Sequence, residues 1–443
     1  MLGEYPIEGR RAADISASIE RAVGEGALEP GQLLPPMREL AVHLGVNPNT
    51  VAAAYRTLRE RGVIETQGRR GSRVRAKPAT TGRERAVVSV PEGVRNLADG
   101  NPDPALLPPL APAFAAATSG RPDALYGEEP VDAELARLAR AAFDADGVPD
   151  GPLVVASGSL DAVERVLAVR LKPGDAVAVE DPGWNRVLDL VPALGLRIVP
   201  FAVDDEGPVP GAFRAALESG ARAVVVTDRA QNPTGAAVGA GRARELRAIL
   251  REFPDVLVIE DDHGHGIVDL PLHPLGGVTR HWAFVRSVAK AYGPDLRVAV
   301  MTGDAVTVDR VRGRQRLGAG WVSLLVQRAV VWLWREGGVD PAVVGGAYRA
   351  RRDLLIEALA ERGVAARGRS GLSVWIPVDD ETGVVARLLR AGWAVAAGER
   401  FRVGAAPGIR VTVSSLGESA AEVTAFADAV AEAVKGASSW GVV

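Results

Sequence analysis

The stretch Arg286-Ser-Val-Ala-Lys-Ala-Tyr-Gly-Pro-Asp-Leu-Arg297 follows directly on the apolar run Trp282-Ala-Phe-Val. At its centre stands Lys290, one of only four lysines (with Lys77, Lys172 and Lys435) among 52 Lys and Arg residues. A chain with so strong a bias towards arginine keeps a lysine where a guanidinium fails. An amine can lose its proton and attack an aldehyde, and a guanidinium effectively cannot. The apolar run reads as a strand, so the amine stands at a strand's carboxyl end, where open α/β sheets hold their ligands. Taken alone, Lys290 reads better as a surface lysine left over by composition; its companions along the chain overturn that.

Working outward, helical patterns alternate from about residue 130 with short apolar runs: Leu153-Val-Val, Ala176-Val-Ala-Val, Arg197-Ile-Val, Ala223-Val-Val-Val, Val256-Leu-Val-Ile, Ala283-Phe-Val and Val298-Ala-Val. Apolar strands between helices predict an α/β fold with a mainly parallel sheet covered by helices on both faces. From about residue 340 a long helix (Tyr348 to Glu361) and a small α+β subdomain are expected. The chemistry gathers after the strands. Ser157-Gly-Ser159 offers N–H groups and a hydroxyl to a phosphate. Glu180-Asp-Pro-Gly-Trp184 supplies a ring for stacking, and Gln231-Asn-Pro-Thr-Gly235 supplies Asn232 as a hydrogen-bonding partner for a ring oxygen. Glu260-Asp-Asp-His263 ends its strand on carboxylates that can keep a pyridine nitrogen protonated, and Ser287 and Arg297 flank Lys290 to complete a phosphate cup. Each has a bland reading (turn, core or ion pair), but their order, each after its own strand, argues against coincidence.

In that order these residues resemble the fold-type I pyridoxal-phosphate proteins, the aspartate aminotransferase superfamily, over roughly residues 95–435. The resemblance implies pyridoxal 5'-phosphate as cofactor, with Lys290 as its Schiff-base lysine and Asp261 paired with the pyridine nitrogen. It implies Trp184 stacked on the ring, Asn232 at the phenolic oxygen, and Gly158, Ser159, Ser287 and Arg297 on the phosphate. Tyr126 matches a tyrosine that reaches the phosphate of a neighbouring subunit, which implies a homodimer. Arg410 matches the arginine that clamps a substrate carboxylate, and Arg186 is a second effector-binding candidate. The chain departs from the pattern at His263, which stands where a tyrosine usually lies near the ring oxygen, and at Leu160, where a polar residue is common. The glycine expected soon after Tyr126 is also missing. These departures weigh against efficient transamination more than against cofactor binding. Asp261, Asp262, His263 and His265 are metal-ligating types, but with the ring claiming Asp261 and no third firm ligand no metal is expected.

The first 77 residues differ in charge from the rest, with 12 Lys/Arg against 9 Asp/Glu, while the whole chain is net −3. Such a local excess points to a polyanion partner for that segment. Met37-Arg-Glu-Leu-Ala-Val-His-Leu44, stopped by Gly45, and the following helix from Pro48, capped by Asn47, predict a helix-turn-helix. In the second helix Ala52, Tyr55 and Leu58 are read as the inward stripe. Asn49 and Thr50 stand nearest base edges, Arg38 and Arg56 are placed for phosphates, and Arg69 and Arg70 tip a basic hairpin. With Leu34-Pro-Pro-Met-Arg-Glu-Leu-Ala, Gly45-Val-Asn-Pro-Asn-Thr-Val and Gly68-Arg-Arg-Gly-Ser, this segment resembles the GntR family of bacterial winged-helix regulators.

A winged helix-turn-helix (1–76), a linker (77–94) and an aminotransferase-like domain (95–443) together resemble the MocR group of transcription regulators, with the head closest to members linked to vitamin B6 metabolism. That resemblance implies double-stranded operator DNA as partner. It also implies pyridoxal phosphate, an amine or an amino acid as effector, and a homodimer that exchanges its DNA-binding heads. Two alternatives stay open: an active pyridoxal-phosphate aminotransferase carrying a DNA-binding head, and a regulator whose large domain only dimerises. The 443 residues suit two or three domains. The absence of cysteine excludes disulfides, thiolate metal sites and a cysteine nucleophile. No apolar run reaches the roughly 20 residues that span a bilayer, and no signal peptide is visible. A cytoplasmic protein without a membrane partner is expected.

Overall fold

The computed structural model describes residues 7–24, 27–29, 31–60, 63–66, 71–74, 90–119, 125–336, 338–417 and 419–435. The chain forms two compact units, one built on residues 1–82 with the segments 171–175 and 189–197, and one on the remainder.

In the first unit, helices α1 (Ala12–Gly24), α2 (Met37–Leu44) and α3 (Pro48–Glu60) precede the antiparallel pair β1 (Ile64–Thr66) and β2 (Ser72–Val74). Helix α2 stops because Gly45 takes φ 61°, a left-handed turn that returns its N–H to the carbonyls of Ala41 and Val42. Helix α3 starts three residues later, where Asn47 Oδ1 accepts from the Asn49 N–H at 2.8 Å and Pro48 fills the first position. Its buried stripe is Val51, Ala54, Tyr55 and Leu58, with Ala52 only half-buried, so the helix is rotated from the expected face. The Tyr55 hydroxyl fixes that rotation by donating to the Pro35 carbonyl at 2.8 Å. The hairpin tip with Arg69 and Arg70, and most of the 77–94 segment, lie outside the described residues.

After the head the chain continues with β3 (Arg95–Asn96), α4 (Leu110–Thr118), α5 (Ala133–Ala145), β4 (Leu153–Ala156), α6 (Ser159–Arg170), β5 (Ala176–Asp181), α7 (Asn185–Ala193), β6 (Arg197–Asp204) and β7 (Gly207–Pro208). It continues through α8 (Pro210–Glu218), β8 (Ala223–Thr227), α9 (Ala240–Glu252), β9 (Leu257–Asp262), β10 (His281–Ser287), α10 (Ala289–Tyr292), β11 (Ala299–Gly303), α11 (Ala305–Arg316) and α12 (Leu324–Arg335). Eight strands make one sheet in the order β4-β11-β10-β9-β8-β5-β6-β7. Strands β5, β8, β9 and β10 run parallel, and β11 is reversed between β10 and β4. The carboxyl ends of β4, β5, β8, β9 and β10 therefore share one edge, and the loops after them meet there.

The small subdomain holds α13 (Pro341–Ala360), β12 (Ser373–Pro377), α14 (Glu381–Arg390), β13 (Trp393–Ala394), β14 (Ala396–Ala397), β15 (Gly408–Thr412) and α15 (Ala420–Lys435). Helix α13 begins seven residues before the expected Tyr348. Asp340 caps it by accepting from the Ala342 N–H, and Pro341 occupies the first position, which extends the helix past its weakly amphipathic opening. Strands β12, β15 and β14 form an antiparallel sheet, and β13 pairs with β3. Among the described residues no helix is long and apolar enough to cross a membrane.

Candidate functional site

A cavity of about 560 Å³ opens at the shared strand edge. At one end, Gly158 turns the chain from β4 into α6 with φ +97°, a conformation that side chains resist. A Cβ on Gly158 would stand 2.6 Å from Arg297 Nη2, so the glycine also makes room for that guanidinium. Arg297 Nη2 donates to the Ser157 carbonyl at 2.7 Å. Ser159 Oγ, at the first position of the twelve-residue α6, is buried with no partner among the described residues. Ser287 Oγ accepts from the Ala289 N–H at 3.2 Å and its hydroxyl hydrogen is left to donate. A helix N-terminus, two hydroxyls and a guanidinium around a glycine turn form an anion cup.

Beneath the cavity wall, Asp261 Oδ2 meets His263 Nδ1 at 2.8 Å, and His263 Nε2 donates to the Ala230 carbonyl at 2.8 Å. A carboxylate and a carbonyl only accept, so both ring nitrogens carry protons whenever Asp261 is ionised. Burial pulls the His263 pKa down, but the Asp261 carboxylate outweighs it and holds the imidazole above its ordinary value. Asp261 Oδ1 is buried with no partner among the described residues. A charged oxygen left open in this way suits a protonated ring nitrogen. Trp184, half-buried in the wall, lies with its ring 6.2 Å from that of His263 and tilted by 47°.

Lys290 follows β10 in the short helix α10, and its Nζ donates to the Gly100 carbonyl. Burial first, then the charges of Arg410 and Arg186, lower its pKa from 10.5 to about 8. About one amine in ten is then neutral at pH 7, against roughly one in three thousand for an ordinary lysine. Arg410, on β15 and only 4 % exposed, donates from Nη1 to Asn232 Oδ1 at 3.1 Å and from Nη2 to the Ala98 carbonyl. Asn232 therefore has its amide N–H₂ left for the cavity.

The cavity wall thus brings together Ser159, Trp184, Arg186, Asn232, His263, Ser287, Lys290, Arg297 and Arg410, with Gly158 and Asp261 directly behind it. Tyr126 is not among them. It is 93 % exposed and meets Trp321 edge to face at 5.7 Å. The carboxylate and histidine cluster considered for a metal is divided. Asp262 faces Arg229 and Arg286, and His265 packs edge-on against Trp334 at 6.1 Å. Sequence reading missed Asp99, Gly100, Asn101, Arg400 and Phe401, which also line the space. It missed Asp181 too, whose carboxylate accepts three backbone N–H groups, from Val403, Gly404 and Ala405 at 2.8–2.9 Å, and so ties that loop to the end of β5. The only signal was the position of Asp181 beside the Pro-Gly-Trp turn.

In the first unit Arg38, Asn47, Asn49 and Arg56 are exposed and Thr50 is half-exposed. Asn47 uses its side-chain oxygen as the helix cap, which leaves its amide N–H₂ for a partner. Arg38 precedes the turn and Asn49 and Thr50 sit in the first turn of α3, the end that a recognition helix presents to base edges.

Comparison with known proteins matches residues 92–430 to the family described as aminotransferase class I and II. Residues 11–74 match the family of bacterial regulatory proteins, gntR family. The chain is 39% identical over 419 residues, 93% of its length, to the vitamin B6 salvage pathway transcriptional repressor PtsJ of Salmonella typhimurium, and covers 96% of that protein. It is 29% identical over 309 residues to the pyridoxine biosynthesis transcriptional regulator PdxR of Corynebacterium glutamicum, covering 67% of this chain and 63% of that one. Among solved structures it is similar to an α-aminoadipate aminotransferase of Thermus thermophilus in complex with N-(5'-phosphopyridoxyl)-L-leucine. That match has a TM-score of 0.70 at 21% identity and covers 82% of this chain and 97% of the other.

Proposed function

The chain belongs to the aminotransferase class I and II family and carries a gntR-family head, the organisation of a MocR-type DNA-binding transcription regulator, and from that premise we propose that it is a sensor of vitamin B6. In this reading the large domain binds pyridoxal 5'-phosphate through Lys290, and the state of that site sets the affinity of the head for operator DNA. The observation that carries the reading is Lys290 itself: an amine with its pKa lowered to about 8, between an anion cup and an open buried carboxylate oxygen. The names of the two regulators, one of vitamin B6 salvage and one of pyridoxine biosynthesis, support the choice of effector.

The residues fit the cofactor. Ser159, Ser287, Arg297 and the turn at Gly158 would hold its phosphate, and Asp261 with His263 its ring nitrogen. Trp184 would lie against the ring, and the Asn232 amide would meet the ring oxygen. When bound, pyridoxal phosphate supplies an aldehyde that condenses with a primary amine. The chain's own part is to keep Lys290 partly neutral, to orient it from the Gly100 carbonyl, and to hold a proton on His263 beside Asp261. Arg410 and Arg186 would receive a carboxylate of an amine or amino-acid effector.

The proposal extends to a homodimer. Tyr126 and its neighbour Leu125 are exposed at 93 % and 68 %, and Leu325 at 46 %, an apolar surface that supports a second copy with Tyr126 reaching the partner's phosphate cup. The stretch 77–94 gives the chain length for the two copies to exchange heads, each head taking one half of an operator. A protein of this kind acts on DNA in the cytoplasm. On the head, Asn49 and Thr50 would read bases, and Arg38, Asn47, Arg56, Arg69 and Arg70 would hold phosphates.

Fluorescence anisotropy with DNA from the chain's own upstream region, with and without pyridoxal phosphate, tests the reading. Cofactor is expected to change the affinity or stoichiometry of DNA binding, and Lys290→Ala to abolish the change. Equal binding in both conditions, with a response only to an added amine, would make the cofactor a tool for detecting that amine. Stoichiometric conversion of an amino acid, with no DNA binding, would overturn the regulator reading.

A further inference from the structure

Part of the cavity wall comes from a loop of the small subdomain, where Arg400 and Phe401 stand in the short turn Gly398–Phe401. Arg400 has no hydrogen bond or ion pair among the described residues, and its Nε is buried without a partner. Its position is therefore that of the backbone that carries it. Phe401, only 1 % exposed, belongs with Trp375 and Ala396 to a small apolar cluster apart from the main core. Its ring centroid lies 5.8 Å from the Arg400 guanidinium and 4.9 Å from that of Arg410, so the turn also supports Arg410.

Two buried carboxylates hold this loop. Glu381, at the start of α14, accepts from the N–H groups of Glu399 and Gly408 and from Arg402 Nε, each at 2.9 Å. Glu381 belongs to the same subdomain, so those bonds shape the loop without placing it against the main sheet. Asp181, at the end of β5, does that. Its Oδ1 accepts from the Val403 N–H at 2.9 Å, and its Oδ2 from those of Gly404 and Ala405 at 2.8 and 2.9 Å. Beside it the Gly183 N–H donates to the Phe401 carbonyl at 2.7 Å. A buried carboxylate on three N–H groups is a strong tie, yet Asp181 is not among the residues that line the cavity. We infer that Asp181 is a positioning residue for effector recognition: it fixes residues 401–405 to the main sheet and so sets where Phe401 and Arg400 stand against an effector's carboxylate. This rests on the reading of the cavity as an effector site beside pyridoxal phosphate.

Asp181 also stands shortly before Trp184, so the rival role is to hold the turn that carries that ring, and two affinities separate the roles. Full-length protein is titrated with pyridoxal phosphate, followed by its Lys290-dependent absorbance. The loaded protein is then titrated by calorimetry with butyrate, a carboxylate without an amine. Asp181→Ala is expected to weaken butyrate binding about tenfold, the worth of one charge-assisted contact, with cofactor affinity kept within about twofold. Asp181→Asn keeps one acceptor oxygen and turns an N–H₂ towards the remaining N–H donors, and is expected to fall between. Phe401→Leu should reproduce the loss of butyrate with Asp181 in place. The sign is informative, because loss of a negative charge near an anion by itself tightens its binding, so weaker binding reports the displaced loop. Butyrate affinity that stays or rises in both Asp181 variants overturns the inference. So does cofactor affinity that falls alongside it, which assigns Asp181 to the Trp184 turn. If Asp181→Ala fails to fold, Asp181→Asn decides. Wild-type protein that fails to load, or that loads and ignores butyrate, breaks the underlying reading instead.

Discussion

Asp261 and Asp262 are neighbours in one strand, exposed by only 2 % and 0 %, yet the molecule treats them oppositely. Alternation along β9 sends their side chains to opposite faces of the sheet. Asp262 is closed on its face. Arg229 reaches it from Nε and Nη2 at 3.0 and 2.8 Å, Arg286 from Nε at 2.9 Å, and Arg286 also pairs with Asp146. Against the cost of burial, those two guanidiniums hold its carboxyl far below the usual range. Asp261 has one partner, His263, and one oxygen left open beside the cavity. Burial alone therefore does not mark a functional acid; an unfilled acceptor next to a cavity does.

The hardest test of this contrast is Asp262→Ala. It leaves Arg229 and Arg286 buried without their shared counter-charge, for which a loss of about 3–5 kcal/mol is expected. Urea unfolding followed by tryptophan fluorescence measures it. A loss below about 1 kcal/mol would mean that the closed face does not carry the stability assigned to it.

Asp261→Asn is the counterpart. Stability is expected to change by less than about 1 kcal/mol, because His263 can release a proton and keep its bond to Ala230. Affinity for pyridoxal phosphate is expected to fall about 10- to 100-fold, the loss of a charge-assisted hydrogen bond to the ring nitrogen. Absorbance titration of the two proteins reads the difference. An unchanged affinity, or a loss of stability like that of Asp262→Ala, would erase the distinction between the two acids.

The open face was legible in the sequence and the closed face was not. Gly158, Ser159, Trp184, Asn232 and Lys290 each follow a strand and Asp261 lies at the end of one, so local pattern plus the rule that ligands gather at strand ends was enough to group them. The head was legible for the same reason, since its Asn47 cap and Gly45 stop act within a few residues. The rest depends on closure between distant segments. Asp181 binds a loop more than 220 positions away, Arg410 meets Asn232 across 178, and Arg286 meets Asp146 across 140. No spacing rule reaches that far in one sequence, and Arg400 looked like any other of the many arginines until the turn at Gly398–Phe401 brought it to the cavity. The rotation of α3 was misjudged because the Tyr55 hydroxyl bond to Pro35, which sets it, joins two segments that pattern reading treats separately.

The smallest expected effect lies wholly on the open face and separates burial from charge there. The neutral amine of Lys290 is the reactive form, so the rate of cofactor uptake should rise with pH, pass a midpoint at about 8 and level off above it. An unshifted lysine would keep rising towards 10.5. Burial is the largest cause of the lowering and the charge of Arg410 the next, so Arg410→Ala should move the midpoint upward, but by less than about one unit. Stopped-flow absorbance across pH 6–10 gives both curves. A midpoint that stays in place would mean that the charge of Arg410 does not tune Lys290 and that Arg410 serves only the ligand. A midpoint that falls would contradict the sign of the charge effect, because removing a neighbouring cation can only favour the ammonium.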